Sequence, residues 1–124
     1  MDRLFFSIGS IASALAVGLG AFGAHALRDR LSEDMLAIFE TGVRYHFYHA
    51  LALLALGLAI GRWPEAGQLV TAGWLFVGGI LIFSGSLYLL ALTGTRWLGA
   101  ITPIGGVLFI LAWGMMALAV YRGG

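Results

Sequence analysis

Four long stretches of the chain carry no charged side chain, and this feature restricts the fold more than any other. They run over residues 4–27, 45–61, 66–95 and 97–121. A helix that crosses a membrane needs about 20 apolar residues, with a range of about 17–25. The second stretch reaches the lower limit of that range, and the other three are long enough. We therefore predict one domain, residues 1–124, folded as an all-α integral membrane protein. Its four-transmembrane-helix bundle has spans at about 4–26, 43–61, 69–92 and 98–121.

The composition agrees with lipid as the solvent and excludes several classes of function. Hydrophobic residues make up 60% of the chain and charged residues only 10%, against about a quarter in soluble domains. Cysteine is absent, which excludes a thiolate zinc site and a cysteine nucleophile. The net charge of +1 gives no electrostatic reason to expect nucleic acid as a partner. The partner that the composition predicts is the lipid bilayer.

The segment between the first two predicted spans holds most of the charged residues. In residues 28–44, apolar side chains recur near helical spacing, at positions 31, 35, 36, 38 and 39. Ser32 followed by two acidic residues suits the start of a helix, because a serine caps free N–H groups and acids favour the positive end. We predict a short amphipathic interfacial helix at about 31–41.

Small residues are frequent inside the spans, and the chain has 19 glycines. In lipid, helices associate where small residues let their backbones approach closely. Such ladders have members four residues apart, at 12, 16, 20 and 24 on the first span and at Gly57 and Gly61 on the second. They favour tight packing within the bundle. The alternative is that one ladder forms the contact of a homo-oligomer.

No acidic or basic side chain lies deep within a predicted span. A small proton-coupled exporter needs a carboxylate inside the membrane, so its absence disfavours a small oligomeric transporter. The polar groups within the third and fourth spans are neutral, and we expect them to serve mainly as hydrogen-bond partners. These weaker site candidates are Ser84, Ser86, Tyr88 and Thr102.

The three histidines are the sharpest candidates for a functional site. Counting in steps of four residues puts His49 on the face of the second span that carries Gly57, so its side chain should point into the bundle. His46 lies one turn nearer the membrane surface, and Tyr45 is the i, i+4 neighbour of His49. His25 ends the first span on the same side of the membrane. We therefore predict that the histidines gather at one membrane face.

Three interpretations of this cluster stay open. In the first, His25 and His49 bond each other or a backbone carbonyl and are purely structural. In the second they bind a metal ion or haem, because imidazole is a ligand of zinc, copper and iron. In the third the cluster binds a quinone, a lipid headgroup or another polar ligand. Glu40 and Arg44 belong to the same cluster and stand in the favourable i, i+4 order for an ion pair.

Four motifs, in this order, resemble one known family. They are "GAFGAHAL" at 20–27, "ETGVRYHFYHALALL" at 40–54, "FSGSLYLLAL" at 83–92 and "TPIGGVLFILAWG" at 102–114. Together they are similar to the YgdD-like family, small bacterial inner-membrane proteins in a class of unknown function, with mitochondrial relatives in animals. The resemblance implies a four-span membrane protein without an established activity. The family pattern falls on His25, Thr41, Gly42, Tyr45 and His49 and leaves His46 at a variable position.

These observations favour a non-enzymatic accessory or assembly factor of the bacterial inner membrane, with no cofactor. Its polar interfacial site would be formed by His25, Tyr45 and His49, and it would act on another membrane protein. The alternative is a membrane protein that supports redox chemistry by binding haem, a metal ion, a quinone or a lipid. If a metal is bound, the sequence predicts His25 and His49 as its ligands.

Overall fold

The computed structural model describes residues 1–123, which form helices joined by short turns. In chain order the helices are α1 (Asp2–His25), α2 (Glu33–Arg62), α3 (Gln68–Gly79), α4 (Gly85–Thr93) and α5 (Thr102–Tyr121). A π-helical turn (Ile80–Ser84) joins α3 to α4, and a 3-10 turn (Arg96–Ala100) precedes α5. Four stretches are long and apolar enough to cross a membrane: Asp2–His25, Glu33–Arg62, Gln68–Thr93 and Arg96–Tyr121. The predicted all-α fold with four spans is confirmed.

The predicted amphipathic segment is helical, but it is not a separate element. It forms the first turns of α2, a single helix of 30 residues. Ser32 caps this helix as predicted, with its Oγ accepting a hydrogen bond from the Met35 N–H at 3.2 Å. No proline or turn sequence separates residues 41 and 43, and one glycine in a helix costs only about 1 kcal/mol. The helix therefore continues through Gly42.

α1 runs antiparallel to α2 and packs closely against it. A Cβ atom on Gly9 would lie only 2.8 Å from the Ala50 carbonyl oxygen. The contacts also fix the register, because the residue numbers of facing pairs add up to 62 or 63: Gly9 with Leu53, Gly20 with Val43, and Gly23 with Phe39. A residue of α2 therefore lies level with the α1 residue whose number is about 62 minus its own.

The buried positions of α1 do not follow the predicted four-residue ladder. They are Phe5, Gly9, Ala16 and Gly23, so most of the steps are of seven residues. Seven residues make almost two full turns, whereas a step of four drifts by about 40° around the helix. Of the ladder at 12, 16, 20 and 24, only Ala16 is buried. On α2, the prediction for Gly57 is confirmed, since a Cβ there would lie 2.9 Å from the Asp2 carbonyl oxygen.

The second and third spans lie at the centre of the bundle, and α1 and α5 lie outside them. A larger share of the central spans is buried within the protein. The main core is formed by large side chains from every span, among them Phe5, Leu53, Leu69, Phe76 and Phe109. The π-helical turn packs against α5 at Gly105, where a side chain would overlap the backbone of Phe83. Turns of this kind are rare and frequently occur at functional sites.

Candidate functional site

His49 lies on α2 and is buried against α3 and α5. Both of its ring nitrogens have hydrogen-bond partners. Nδ1 lies 2.7 Å from the Tyr45 carbonyl oxygen, which can only accept, so Nδ1 carries the proton. Nε2 is then an acceptor, and it takes the indole N–H of Trp113 at 3.2 Å. The imidazole also stacks on the ring of Phe109, with the centroids 3.6 Å apart and the planes 6° from parallel. His49 is thus a neutral residue that ties three helices together.

Tyr45 and His49, which are i, i+4 neighbours, are in contact. The hydrogen bonds of His49 leave neither ring nitrogen free for a metal. The two rings are stacked with their centroids 6.2 Å apart, and the Tyr45 backbone holds Nδ1. A metal on Nε2 would have to displace the Trp113 indole. Within residues 1–123, no three His, Asp or Glu side chains come close enough to hold a metal ion.

The structure does not bring His25 to His49, so the predicted pair is wrong. His25 is exposed at the end of α1, and by register it lies level with residue 37 of α2. Twelve residues of helix separate that level from His49, about 18 Å at 1.5 Å per residue. The prediction treated the amphipathic segment as a separate helix on the membrane surface, with the second span beginning at about residue 43. Because this segment is the start of α2, His49 lies close to the middle of α1 instead of at the interface.

The other residues predicted at the interface also remain apart. Glu40 and Arg44 are both exposed, and the predicted ion pair between them does not form. In the part of the chain that the structure describes, the one salt bridge joins the Met1 amine to Asp2. Thr41 donates its Oγ1 proton to the Ala37 carbonyl of its own helix at 3.0 Å.

His46, which the sequence left as a bystander, is the histidine that faces α1. From His46 to Gly57 is eleven residues, about 20° from three full turns, whereas His49 lies about 80° away from Gly57. His46 is 6% exposed, and its ring faces the backbone of Ala12 on α1. The prediction that His49 shares the Gly57 face is therefore wrong, because steps of four residues accumulate an angular error.

His46 is held by a hydrogen bond to the third span. Its Nδ1 lies 2.8 Å from the hydroxyl oxygen of Tyr88. One turn earlier on α2, Gly42 packs against the Tyr88 ring, and its carbonyl accepts the Ser84 hydroxyl at 2.7 Å. Among the described residues, His46 is the only hydrogen-bond partner of the Tyr88 hydroxyl. That hydroxyl must donate to Nδ1 if its proton is to be satisfied, which puts the ring proton of His46 on Nε2.

An apolar groove of about 170 Å³ opens beside His46, between α1, α2 and the third span. Two of its lining residues, Leu15 and Leu81, are exposed on the lipid-facing surface, so the groove opens towards lipid. Its remaining lining residues are Ile8, Ala12, His46, Leu53, Val77 and Ile80. His46 is the one lining residue with a polar side chain.

The last two predicted candidates join the third span to α5. The Ser86 and Thr102 hydroxyl oxygens lie 2.6 Å apart, and Ser86 also bonds the Phe83 carbonyl at 2.9 Å. Within residues 1–123 no buried polar side-chain atom lacks a hydrogen-bond partner. Both hydroxyls are thus hydrogen-bonded within the bundle.

Two features of the candidate site were not predicted from the sequence. Trp113 is the partner of His49, and the only signal was that an indole N–H within a membrane span needs an acceptor. The direction of His46 towards α1 follows from its eleven-residue spacing to Gly57, which the count in steps of four concealed.

Comparisons with known proteins agree on one family. The sequence profile described as "Protein of unknown function (DUF423)" matches residues 19–106. The "UPF0382 membrane protein YwdK" of Bacillus subtilis is 47% identical over 120 residues, which cover 97% of this chain and 98% of that protein. A "UPF0382 membrane protein" of Staphylococcus epidermidis is 48% identical over 120 residues, with 97% of each chain covered. No solved structure matches.

Proposed function

Because the chain belongs to the DUF423 family of membrane proteins, we propose a function from its own geometry: it binds a quinone-class molecule and catalyses no reaction. The observation that carries the proposal is the His46 groove. Its volume of about 170 Å³ is close to that of the ~150 Å³ cavity known to hold a benzene ring. One six-membered ring therefore fits, and because the groove opens towards lipid, ring substituents and any apolar tail can extend out of it.

Hydrogen bonding gives the ring a preferred orientation in the groove. With Tyr88 donating to Nδ1, the ring N–H of His46 is on Nε2 and has the Ala12 backbone within hydrogen-bonding reach. A quinone carbonyl would take the place of the Ala12 backbone as acceptor of this proton. Ala12, whose backbone the imidazole faces, lines the same groove. The ligand carbonyl would lie between the His46 ring and α1.

Binding without catalysis is supported by the chemistry of the lining. His46 is the single ionisable side chain in the groove, so no second acid or base is present to form a proton-transfer pair. His49, the nearest other imidazole along α2, has both nitrogens occupied. The proposed location is the bacterial inner membrane, supported by the helical spans and the bacterial relatives. The predicted accessory or assembly role stays a prediction, and a quinone carrier or sensor is one form of it.

The test is a titration of the detergent-solubilised protein with duroquinone, a quinone of one ring, followed by ligand-observed NMR. His46→Asn is the informative variant, because the Asn carbonyl oxygen replaces Nδ1 as acceptor for Tyr88, whereas the shorter Asn amide N–H does not reach the position of Nε2–H. Loss of one hydrogen bond of about 1 kcal/mol raises Kd about five-fold. His25→Asn, at the exposed end of α1, is the matched control and should bind as wild type does.

A second variant tests the groove independently of the hydrogen bond. Ala12→Leu adds side-chain volume within the groove and should abolish duroquinone binding. Wild-type protein without duroquinone binding would contradict the proposal. Equal affinity in wild type, His46→Asn and Ala12→Leu would show that the quinone partitions into the detergent without using the groove.

A further inference from the structure

A second groove, on the opposite side of α1, carries a cationic side chain about two helical turns inside the end of α1. It measures about 270 Å³ and lies between α1 and α2. Its walls are formed by Ala16, Val17, Gly20 and Ala21 on α1 and by Val43, Arg44, Phe47 and Tyr48 on α2. The α1 wall is formed mostly by small side chains and the α2 wall by larger ones. Arg44 and Tyr48 are the polar residues of the lining.

The depth of Arg44 follows from the register of the two helices. Arg44 lies level with Gly18 of α1, seven residues before His25 ends that helix. The corresponding distance along the axis is about 10 Å at 1.5 Å per residue. Charged residues at such depth are costly and are satisfied by a partner or by extending towards the headgroup layer. Arg44 is long enough to extend in this way while its stem stays in the groove.

In the described part of the chain, no acidic side chain forms a salt bridge with Arg44. Glu40, one turn away and in the favourable order, makes no ion pair with it, and within residues 1–123 the only salt bridge is the one at Met1. The Arg44 side chain is exposed, so its guanidinium is open to an anion from the membrane. A guanidinium matches a phosphate with two parallel N–H···O bonds, which a lysine cannot provide.

We propose that this groove binds one anionic phospholipid. The phosphate lies on the Arg44 guanidinium, at the end of the groove marked by Ala21 and nearest the membrane surface. One acyl chain follows the small α1 wall towards Ala16, which is deeper by about 7 Å along the helix. Tyr48, one turn deeper than Arg44 on the same wall, packs its ring along that chain. This site is separate from the His46 groove and does not depend on a quinone being bound.

Native mass spectrometry of the detergent-solubilised protein tests the proposal with three probes at equal concentration. These are phosphatidylglycerol, phosphatidylethanolamine with the same acyl chains, and inorganic phosphate. We expect one phosphatidylglycerol molecule to be retained, at least ten-fold more tightly than phosphatidylethanolamine, and no phosphate adduct. Equal retention of the two lipids would overturn the requirement for net negative charge. A phosphate adduct of similar affinity would overturn the assignment to a lipid.

Two pairs of variants separate the groove from general surface charge. Arg44→Gln should reduce phosphatidylglycerol retention at least ten-fold, whereas Arg30→Gln, exposed in the turn on the same membrane side, should leave it unchanged. Ala21→Leu narrows the groove and should reduce retention, whereas Ala117→Leu, on an exposed face of α5, should not. All four positions are exposed, so folding is preserved. Equal losses in the two arginine variants, or no loss in Ala21→Leu, would overturn the proposal.

Discussion

The Nδ1 atom of His46 and the hydroxyl oxygen of Tyr88 lie 2.8 Å apart, joining the second span to the third inside the membrane. This hydrogen bond leaves Nε2 of His46 facing α1 and the groove beside it. Three positions further along α2, His49 has the opposite arrangement, with Nδ1 bonded to its own helix and Nε2 bonded to Trp113. Two histidines of one helix thus have different roles.

Removing the Tyr88 hydroxyl should loosen the contact between the second and third spans. In Tyr88→Phe, Nδ1 of His46 loses its donor, and we expect a loss of about 1 kcal/mol in the free energy of unfolding. Unfolding by SDS titration, followed by circular dichroism, measures this loss. Tyr121→Phe is the control, because Tyr121 is 87% exposed. Equal stability of the two variants would show that the bond contributes nothing.

Replacing Trp113 should destabilise the protein through His49. Trp113→Phe keeps an aromatic ring against Phe76 but removes the only donor to Nε2 of His49, so an acceptor is left unpaired. We expect a loss of about 1–3 kcal/mol, the cost of an unsatisfied buried polar group. Trp97→Phe serves as the control, since Trp97 is 67% exposed in the 3-10 turn. A Trp113→Phe protein as stable as Trp97→Phe would contradict the structural role of His49.

Adding one methyl group at Gly9 should separate α1 from α2. The new Cβ of Gly9→Ala would lie 2.8 Å from the Ala50 carbonyl oxygen and 2.9 Å from the Leu54 nitrogen. Both are backbone atoms, so a helix has to move, at a cost of about 1–3 kcal/mol. Gly18→Ala is a matched control, because its Cβ meets nothing within 4 Å. The same SDS titration followed by circular dichroism compares them. If the two variants unfold together, the close approach of the helices is wrong.

The number and position of the spans could be predicted from the sequence, because bilayer thickness sets a minimum length for an uncharged stretch. The side-chain contacts between the spans could not be predicted. Trp113 and His49 are 64 positions apart, and no local pattern pairs them. The absence of an ion pair between Glu40 and Arg44 could not be predicted either. Their i, i+4 spacing favours the pair, but both side chains are exposed and do not pair.

The error over the histidines has a geometric cause. Steps of four residues follow a helix face for one or two turns and then leave it, whereas the eleven residues from His46 to Gly57 return almost to the same direction. The continuity of α2 through Gly42 moved His49 away from His25 as well. Because of both errors, the sequence favoured His49 over His46, the histidine that lines the groove.

The central claim is that His46 donates its Nε2–H to a ligand, whereas both ring nitrogens of His49 are hydrogen-bonded within the protein. Site-resolved nitrogen-15 NMR of the imidazoles tests this claim directly. In the detergent-solubilised protein, we expect the proton on Nε2 of His46 and on Nδ1 of His49. Adding duroquinone should shift the Nε2 resonance of His46 and leave both His49 resonances in place. The same tautomer at the two residues, or a His46 resonance that does not respond to duroquinone, would contradict this account.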